Sequence, residues 1–146
     1  MYDTILIPTD GSEEAEAAAK HGIGLAEQLG ASVHALYVVE SRVTGLPSDS
    51  MRQAEEVEEL TKYGEEITGR IAEMAEEAGV ECTQDVRKGK VYETIVEYAD
   101  EEGLDAIAMG TRGRSGIEEF LLGNVTEKVV RTANVPVLTV RRPKLR

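Results

Sequence analysis

The residues best placed for chemistry in this chain are glycines. Gly110 and Gly113 are separated by two residues, Gly113 and Gly123 by nine, and Asn124 follows at once. Ahead of them runs a short apolar stretch, Leu104 to Met109. Behind them an apolar periodicity predicts a helix over Val125 to Thr132. Strand, glycine-rich loop and helix start, in that order, suit an anionic ligand. Glycine lets the main chain turn and come close to a phosphate. The unbonded N–H groups of a first helical turn then point at it, with the helix dipole behind them. The same residues also make an ordinary strand-to-helix connection with turn glycines, and the pattern alone leaves both readings open.

Other constellations are excluded by what is missing. The loop lacks the G-K-[ST] ending of a Walker-type phosphate loop. The first turn, PTDGSEE, lacks G-x-G-x-x-G, so no dinucleotide fingerprint is present. Ser115 sits in GRSG, which is not a nucleophile elbow. His21 falls on a predicted helix and His34 on a predicted strand, so no Ser–His–acid set can be assembled. With a single cysteine, Cys82, they make no structural zinc site. Cys82 follows Glu81, and an acidic neighbour raises a thiol's pKa rather than activating it. Asp10, Glu118 and Glu119 are the acids near the loop that could serve as metal ligand or base. None has a nucleophile or histidine beside it, and a dedicated enzyme is not expected.

The 146 residues suit one domain, residues 1–146, long enough to bury a core. No apolar run approaches the ~20 residues of a membrane span. The start, MYDTILIPTD, lacks the basic region of a signal peptide. One cysteine allows no internal disulfide and fits a reducing cytoplasm. The net charge of −12 argues against nucleic acid as a partner. That charge is unevenly placed: residues 1–109 carry 25 acids and 8 bases, residues 110–146 carry 3 acids and 8 bases. The positive segment begins at the glycine loop, where a phosphate ligand would want it. Four of its bases (Arg141, Arg142, Lys144 and Arg146) form a tail that needs no ligand to explain it.

The elements that must position these residues alternate. Thr4 to Pro8 is a continuous apolar run, expected as a strand buried on both faces. Asp10 and Gly11 form a turn, and Ser12 is a helix cap with Glu13 and Glu14 in the first turn. Ala15, Ala18, Ala19, Gly22, Ile23, Ala26 and Leu29 share one helical face, and Gly30 ends that helix. A strand over Ala31 to Val39 follows, then an irregular stretch, Glu40 to Asp49. A long acidic helix runs from Met51 to Ala78, its apolar side marked by Ala54, Val57, Leu60, Tyr63 or Gly64, Ile67, Ile71, Met74 and Ala78. Val80 to Val86 is the third strand, Arg87 to Lys90 a turn, and Val91 to Glu102 a helix. Leu104 to Met109 and Val135 to Val140 are the last two strands. The pattern predicts an α/β fold: a five-stranded parallel sheet with helices on both faces. Ligands of such sheets bind beyond the strands' carboxyl ends, where strand order reverses. Pro8 to Asp10, Val38 and the glycine loop are the candidate edges of that crevice. Val135, Val137, Leu138 and Val140 make an apolar last strand, suited to pairing with a second copy about a two-fold axis.

Taken together, PTDGS after the first strand, LYV late in the second, MGTRGRSG, LLGNVTEKV and the closing VPVLTVR resemble the universal stress protein family over nearly the whole chain. The family's ATP-binding members carry G-x2-G-x9-G-[ST]. Gly110, Gly113 and Gly123 match it, and Asn124 stands where Ser or Thr is usual. The resemblance implies a Rossmann-like, adenine-nucleotide-binding fold and a cytoplasmic, dimeric stress-response protein that binds ATP, ADP or AMP with Mg or Mn and hydrolyses ATP slowly at most. It places Pro8, Thr9 and Asp10 by the ribose or the divalent ion, with Asp10 as the metal contact, and the Val38 main chain by the adenine. Met109, Gly110, Thr111, Arg112, Gly113, Arg114, Ser115 and Gly116 would wrap ribose and phosphates. Gly123, Asn124, Val125 and Thr126 would close over the phosphates. Asn124 is also a strong helix cap with Glu127 three residues on, so it serves either the ligand or the helix. Arg112 and Arg114 are either phosphate contacts or solvated loop residues. The alternative function is a nucleotide-independent dimeric interaction protein of the same fold.

Overall fold

The computed structural model describes residues 1–40, 50–111 and 122–142. The elements run β1 (Thr4–Pro8), α1 (Glu13–Leu29), β2 (Ser32–Glu40), α2 (Ser50–Glu77), β3 (Cys82–Gly89), α3 (Val91–Glu101), β4 (Ala106–Gly110), α4 (Asn124–Thr132) and β5 (Val137–Val140). The described strands form one parallel five-stranded sheet in the order β3-β2-β1-β4-β5. This is an α/β, Rossmann-like architecture. No described helix is long and apolar enough to cross a membrane.

Each face of the sheet has its own core. On one face Ile5, Ile7, Val33 and Ala35 meet Ala19, Ile23 and Ala26 of α1 and Ile71 and Ala75 of α2. On the other, Leu6, Leu36, Ile107 and Met109 meet Ile95, Tyr98 and Ala99 of α3 and Val129 of α4. Burial on both sides explains why β1 and β4 read as unbroken apolar runs. The alanine face of α1 has a geometric purpose. A Cβ added at Gly22 would sit 3.0 Å from Ile7 and 3.3 Å from Ala108, so the helix lies unusually close to the sheet. That closeness brings the start of α1 down to the carboxyl ends of β1 and β4.

Several expectations change; β4, for one, runs Ala106–Gly110 rather than Leu104 to Met109, and Leu29 is exposed rather than part of the buried face of α1. Arg87 to Gly89 are not a turn: β3 begins at Cys82 and stays paired with β2 as far as Glu40 opposite Gly89. As a half-exposed edge strand it needs few apolar residues, so its polar second half reads like a loop. The apolar stripe of α2 is buried only over its later turns, at Gly64, Ile67, Thr68, Ile71 and Ala75, while Ala54 is exposed. The helix outruns the strands it covers. Finally, β5 starts at Val137 rather than Val135, although Ile107 N–H already bonds the Pro136 carbonyl.

Candidate functional site

The sheet order reverses between β1 and β4. The helix after β1 packs on one face and the helix after β4 on the other. The two therefore diverge beyond the strand ends, and the crevice between them is where such sheets take ligands.

On the β1 side the TDGS sequence builds a self-bonded turn. Thr9 N–H donates to the Leu36 carbonyl at 2.9 Å. Gly11 N–H donates to Thr9 Oγ1 at 3.1 Å, and Ser12 N–H to Asp10 Oδ1 at 2.9 Å. Ser12 Oγ then accepts from Ala15 N–H at 3.1 Å, the predicted helix cap. Gly11 has φ +83°, a conformation other residues adopt only under strain. Thr9 is buried and Asp10 half-buried.

Strand β2 extends past β1, whose register with it ends at Pro8 opposite Leu36. The Leu36 carbonyl faces β1, since it accepts from Thr9. Main-chain direction repeats every two residues, so Val38 turns its N–H and C=O to the same side, beyond the point where β1 has ended. A planar ring could take those groups as a strand would.

On the β4 side Gly110 is buried, and a Cβ there would lie 3.0 Å from the main chain of Glu14. Any other residue would push α1 away from β4. Thr111 N–H bonds the Val140 carbonyl at 3.1 Å, and Gly123 N–H bonds the Thr111 carbonyl at 2.7 Å. The residues flanking the 112–121 stretch are thus tied together beside the sheet. Thr126 Oγ1 donates to the Gly110 carbonyl at 2.9 Å and is 3% exposed, fastening the first turn of α4 to the end of β4. Its hydroxyl is committed to the fold. Met109 is 6% exposed and belongs to the core. Arg112, Gly113, Arg114, Ser115, Gly116, Glu118 and Glu119 lie outside the described residues.

The cap of α4 is Gly123, in extended conformation at φ −62° and ψ 158°. Asn124 is the first residue inside the helix and is exposed, so the expected pairing of an Asn124 cap with Glu127 does not form. The register is one residue earlier because Glu127 N–H closes the first helical bond on the Gly123 carbonyl at 2.9 Å. Glycine offers no side chain to the first-turn N–H groups of Asn124, Val125 and Thr126.

Electrostatics separates the two helix starts. The first turn of α1 carries Glu13, Glu14 and Glu16 over its Ser12 cap, so its dipole is answered from within. The first turn of α4 carries one acid, Glu127, which pairs with Arg131 at 2.8 Å. Arg142 pairs with Glu13 and lies 3.9 Å from Glu14, and Lys128 stands 5.2 Å over the Tyr92 ring. Three bases of the positive segment, Lys128, Arg131 and Arg142, therefore answer the protein's own groups.

The remaining candidates sit elsewhere. His34 Nδ1 lies 2.9 Å from the Tyr98 hydroxyl and packs edge-on to its ring. Burial, with help from the Asp85 and Glu102 charges, raises the Tyr98 phenol well above the ordinary tyrosine range. The Cys82 thiol is also raised, but by burial rather than by its acidic neighbour. Among the described residues no group of three or more His, Cys, Asp or Glu could hold a metal ion. Sequence reasoning missed Tyr63, whose hydroxyl donates to the Asp10 carbonyl at 3.2 Å. Its only signal was a place on the apolar side of α2.

A sequence model described as the universal stress protein family matches residues 1–141. Universal stress protein MJ0531 of Methanocaldococcus jannaschii is 42% identical over 146 residues, which cover 99% of this chain and 85% of that protein. The solved structure of MJ0577, a universal stress protein of the same organism, superposes with a TM-score of 0.88 at 35% identity over 99% of both chains. A universal stress protein of Archaeoglobus fulgidus, solved in complex with dAMP, has a TM-score of 0.66 at 20% identity over 94% of this chain and 97% of that one, a likeness of fold.

Proposed function

The chain belongs to the universal stress protein family, and from that premise we propose that it is a regulatory adenine-nucleotide-binding member that takes ATP in the β1/β4 crevice. One observation carries the reading: of the two helices that start at the crevice, α1 is capped and acid-lined, whereas α4 begins on a bare glycine. An anion is therefore directed to α4, where the N–H groups of Asn124, Val125 and Thr126 supply donors and the dipole supplies the field. The buried Gly110, with no room for a Cβ, lets the start of α1 close onto the end of β4, which sets that wall of the crevice.

The other parts of the nucleotide follow from the same arrangement. Val38 presents main-chain groups where β1 has ended, suited to an adenine edge. Asp10, on its rigid turn, is placed for ribose hydroxyls or for a Mg or Mn ion arriving with the phosphates. In this reading Gly113 and the arginines of the loop complete the phosphate contacts. Asn124 stands in the first helical turn with an exposed side chain, so its amide can reach a phosphate without serving as the cap. In this reading hydrolysis is slow at most and binding is the function. Two copies pair through β5, an edge strand whose Leu138 is 41% exposed, in a cytoplasmic dimer.

Titration calorimetry with ATP and magnesium tests this. Binding heat, and adenine nucleotide released when the purified protein is denatured, would support it. No heat at ligand concentrations well above ~1 mM would overturn it.

A further inference from the structure

Tyr63 is one contact through which α2 reaches the β1–α1 turn, beside Ile67. Its hydroxyl donates to the Asp10 carbonyl at 3.2 Å. The fit leaves no slack: a Cβ at Gly11 would lie 2.1 Å from the Tyr63 hydroxyl oxygen. The ring is held in turn by Tyr37 of β2, edge-on with centroids 5.7 Å apart and planes at 83°. Tyr37 fits because residue 64 has no side chain; a Cβ there would come within 2.4 Å of its ring. Two glycines and two tyrosines from the turn, β2 and α2 thus interlock. Tyr37 also adjoins Val38, so the interlock spans both the proposed sugar side and the proposed base side of the crevice.

The consequence falls on Asp10. Its carboxylate is oriented by Ser12 N–H at 2.9 Å, and its peptide is oriented by Tyr63. A residue held at both its carboxylate and its peptide meets a ligand hydroxyl with less freedom left to lose, which is where preorganised sites gain affinity. We propose that Tyr63 is a positioning residue for Asp10, making α2 part of the apparatus that recognises the ligand's sugar. This rests on the adenine-nucleotide reading of the crevice, and names a residue outside the glycine motif on which that reading depends.

The test uses Tyr63→Phe, which removes one oxygen and keeps the ring packed against Tyr37. Calorimetry with magnesium compares ATP with its 2′,3′-dideoxy analogue, in the wild-type and Asp10→Ala backgrounds. The expected result is about a fivefold loss of ATP affinity, a loss below about twofold for the dideoxy compound, and no further loss once Asp10 is alanine. Unchanged ATP binding in Tyr63→Phe overturns the inference while leaving the nucleotide reading intact. So does an equal loss for both ligands in both backgrounds, the signature of a general loosening. Failure of the wild-type protein to bind ATP overturns the nucleotide reading and this inference with it.

Discussion

Replacing Gly123 by aspartate should move stability and ligand affinity in opposite directions. The residue sits at φ −62° and ψ 158°, extended backbone that aspartate adopts freely. Its carboxylate would accept from first-turn N–H groups of α4 that glycine leaves without a side-chain partner. The gain over a glycine cap is a few tenths of a kcal/mol. Interaction with the dipole adds about 0.3–1 kcal/mol. A total of about 0.5–1.3 kcal/mol corresponds, in a chain of this size, to a rise in Tm of about 1–5 °C. For the ligand the sign reverses. The carboxylate takes the donors a phosphate needs, and a like charge about 4 Å away costs about 4 kcal/mol at an effective dielectric of 20. Salt screens part of this, so the expected loss of ATP affinity is about a hundredfold. Thermal unfolding and calorimetric titration in one buffer read both quantities, with Gly123→Ala as the uncharged control. A raised Tm with ATP affinity within about twofold of wild type would refute the reasoning, because the α4 amides would then not be the phosphate contacts.

Three further outcomes follow from particular contacts. Thr126→Val removes the hydroxyl that Gly110's carbonyl accepts from inside the fold; urea denaturation should show a loss of about 1–3 kcal/mol, with Thr126→Ser largely restoring it. The buried Tyr98 phenol holds its proton more tightly in the folded state than in the unfolded chain. That contribution is complete below about pH 10 and is lost as pH rises beyond it, so the urea midpoint should fall through that alkaline range, and Tyr98→Phe should flatten the fall. Light scattering at micromolar concentration should give twice the 15.9 kDa chain mass, and Leu138→Arg should return it toward one copy; a wild-type protein found only at 15.9 kDa would remove the β5 pairing.

Much of this architecture was legible in the chain because burial on two faces leaves a plain signature. Thr4 to Pro8 and Leu104 to Met109 read as buried strands, close to the observed β1 and β4, and the small face of α1 announced its close approach to the sheet. Ser12 and Gly30 marked the ends of α1 by capping chemistry that needs no tertiary context. The edge strand β3 was cut short because its partners lie on one side only, so residues such as Arg87 and Lys88 carry no apolar code. The buried extent of α2 depends on how far the strands beneath it reach, which its own periodicity does not record. Asn124 was open to two roles because asparagine is a better cap than glycine in isolation. The bond from Glu127 to Gly123 decided the register instead. Tyr63 was invisible as a site residue because its role exists only once α2 folds across a turn 53 positions away in sequence.

In the proposed complex, main-chain amides at the start of α4 receive the phosphate. Amide chemical shifts recorded by nuclear magnetic resonance during parallel titrations with ATP and with adenosine address this directly. The N–H signals of Asn124, Val125 and Thr126 should move on addition of ATP and stay in place with adenosine, while Val38 responds to both. If those three amides are indifferent to ATP, or respond to adenosine as strongly, the phosphate does not sit at this helix and the assignment of the crevice fails.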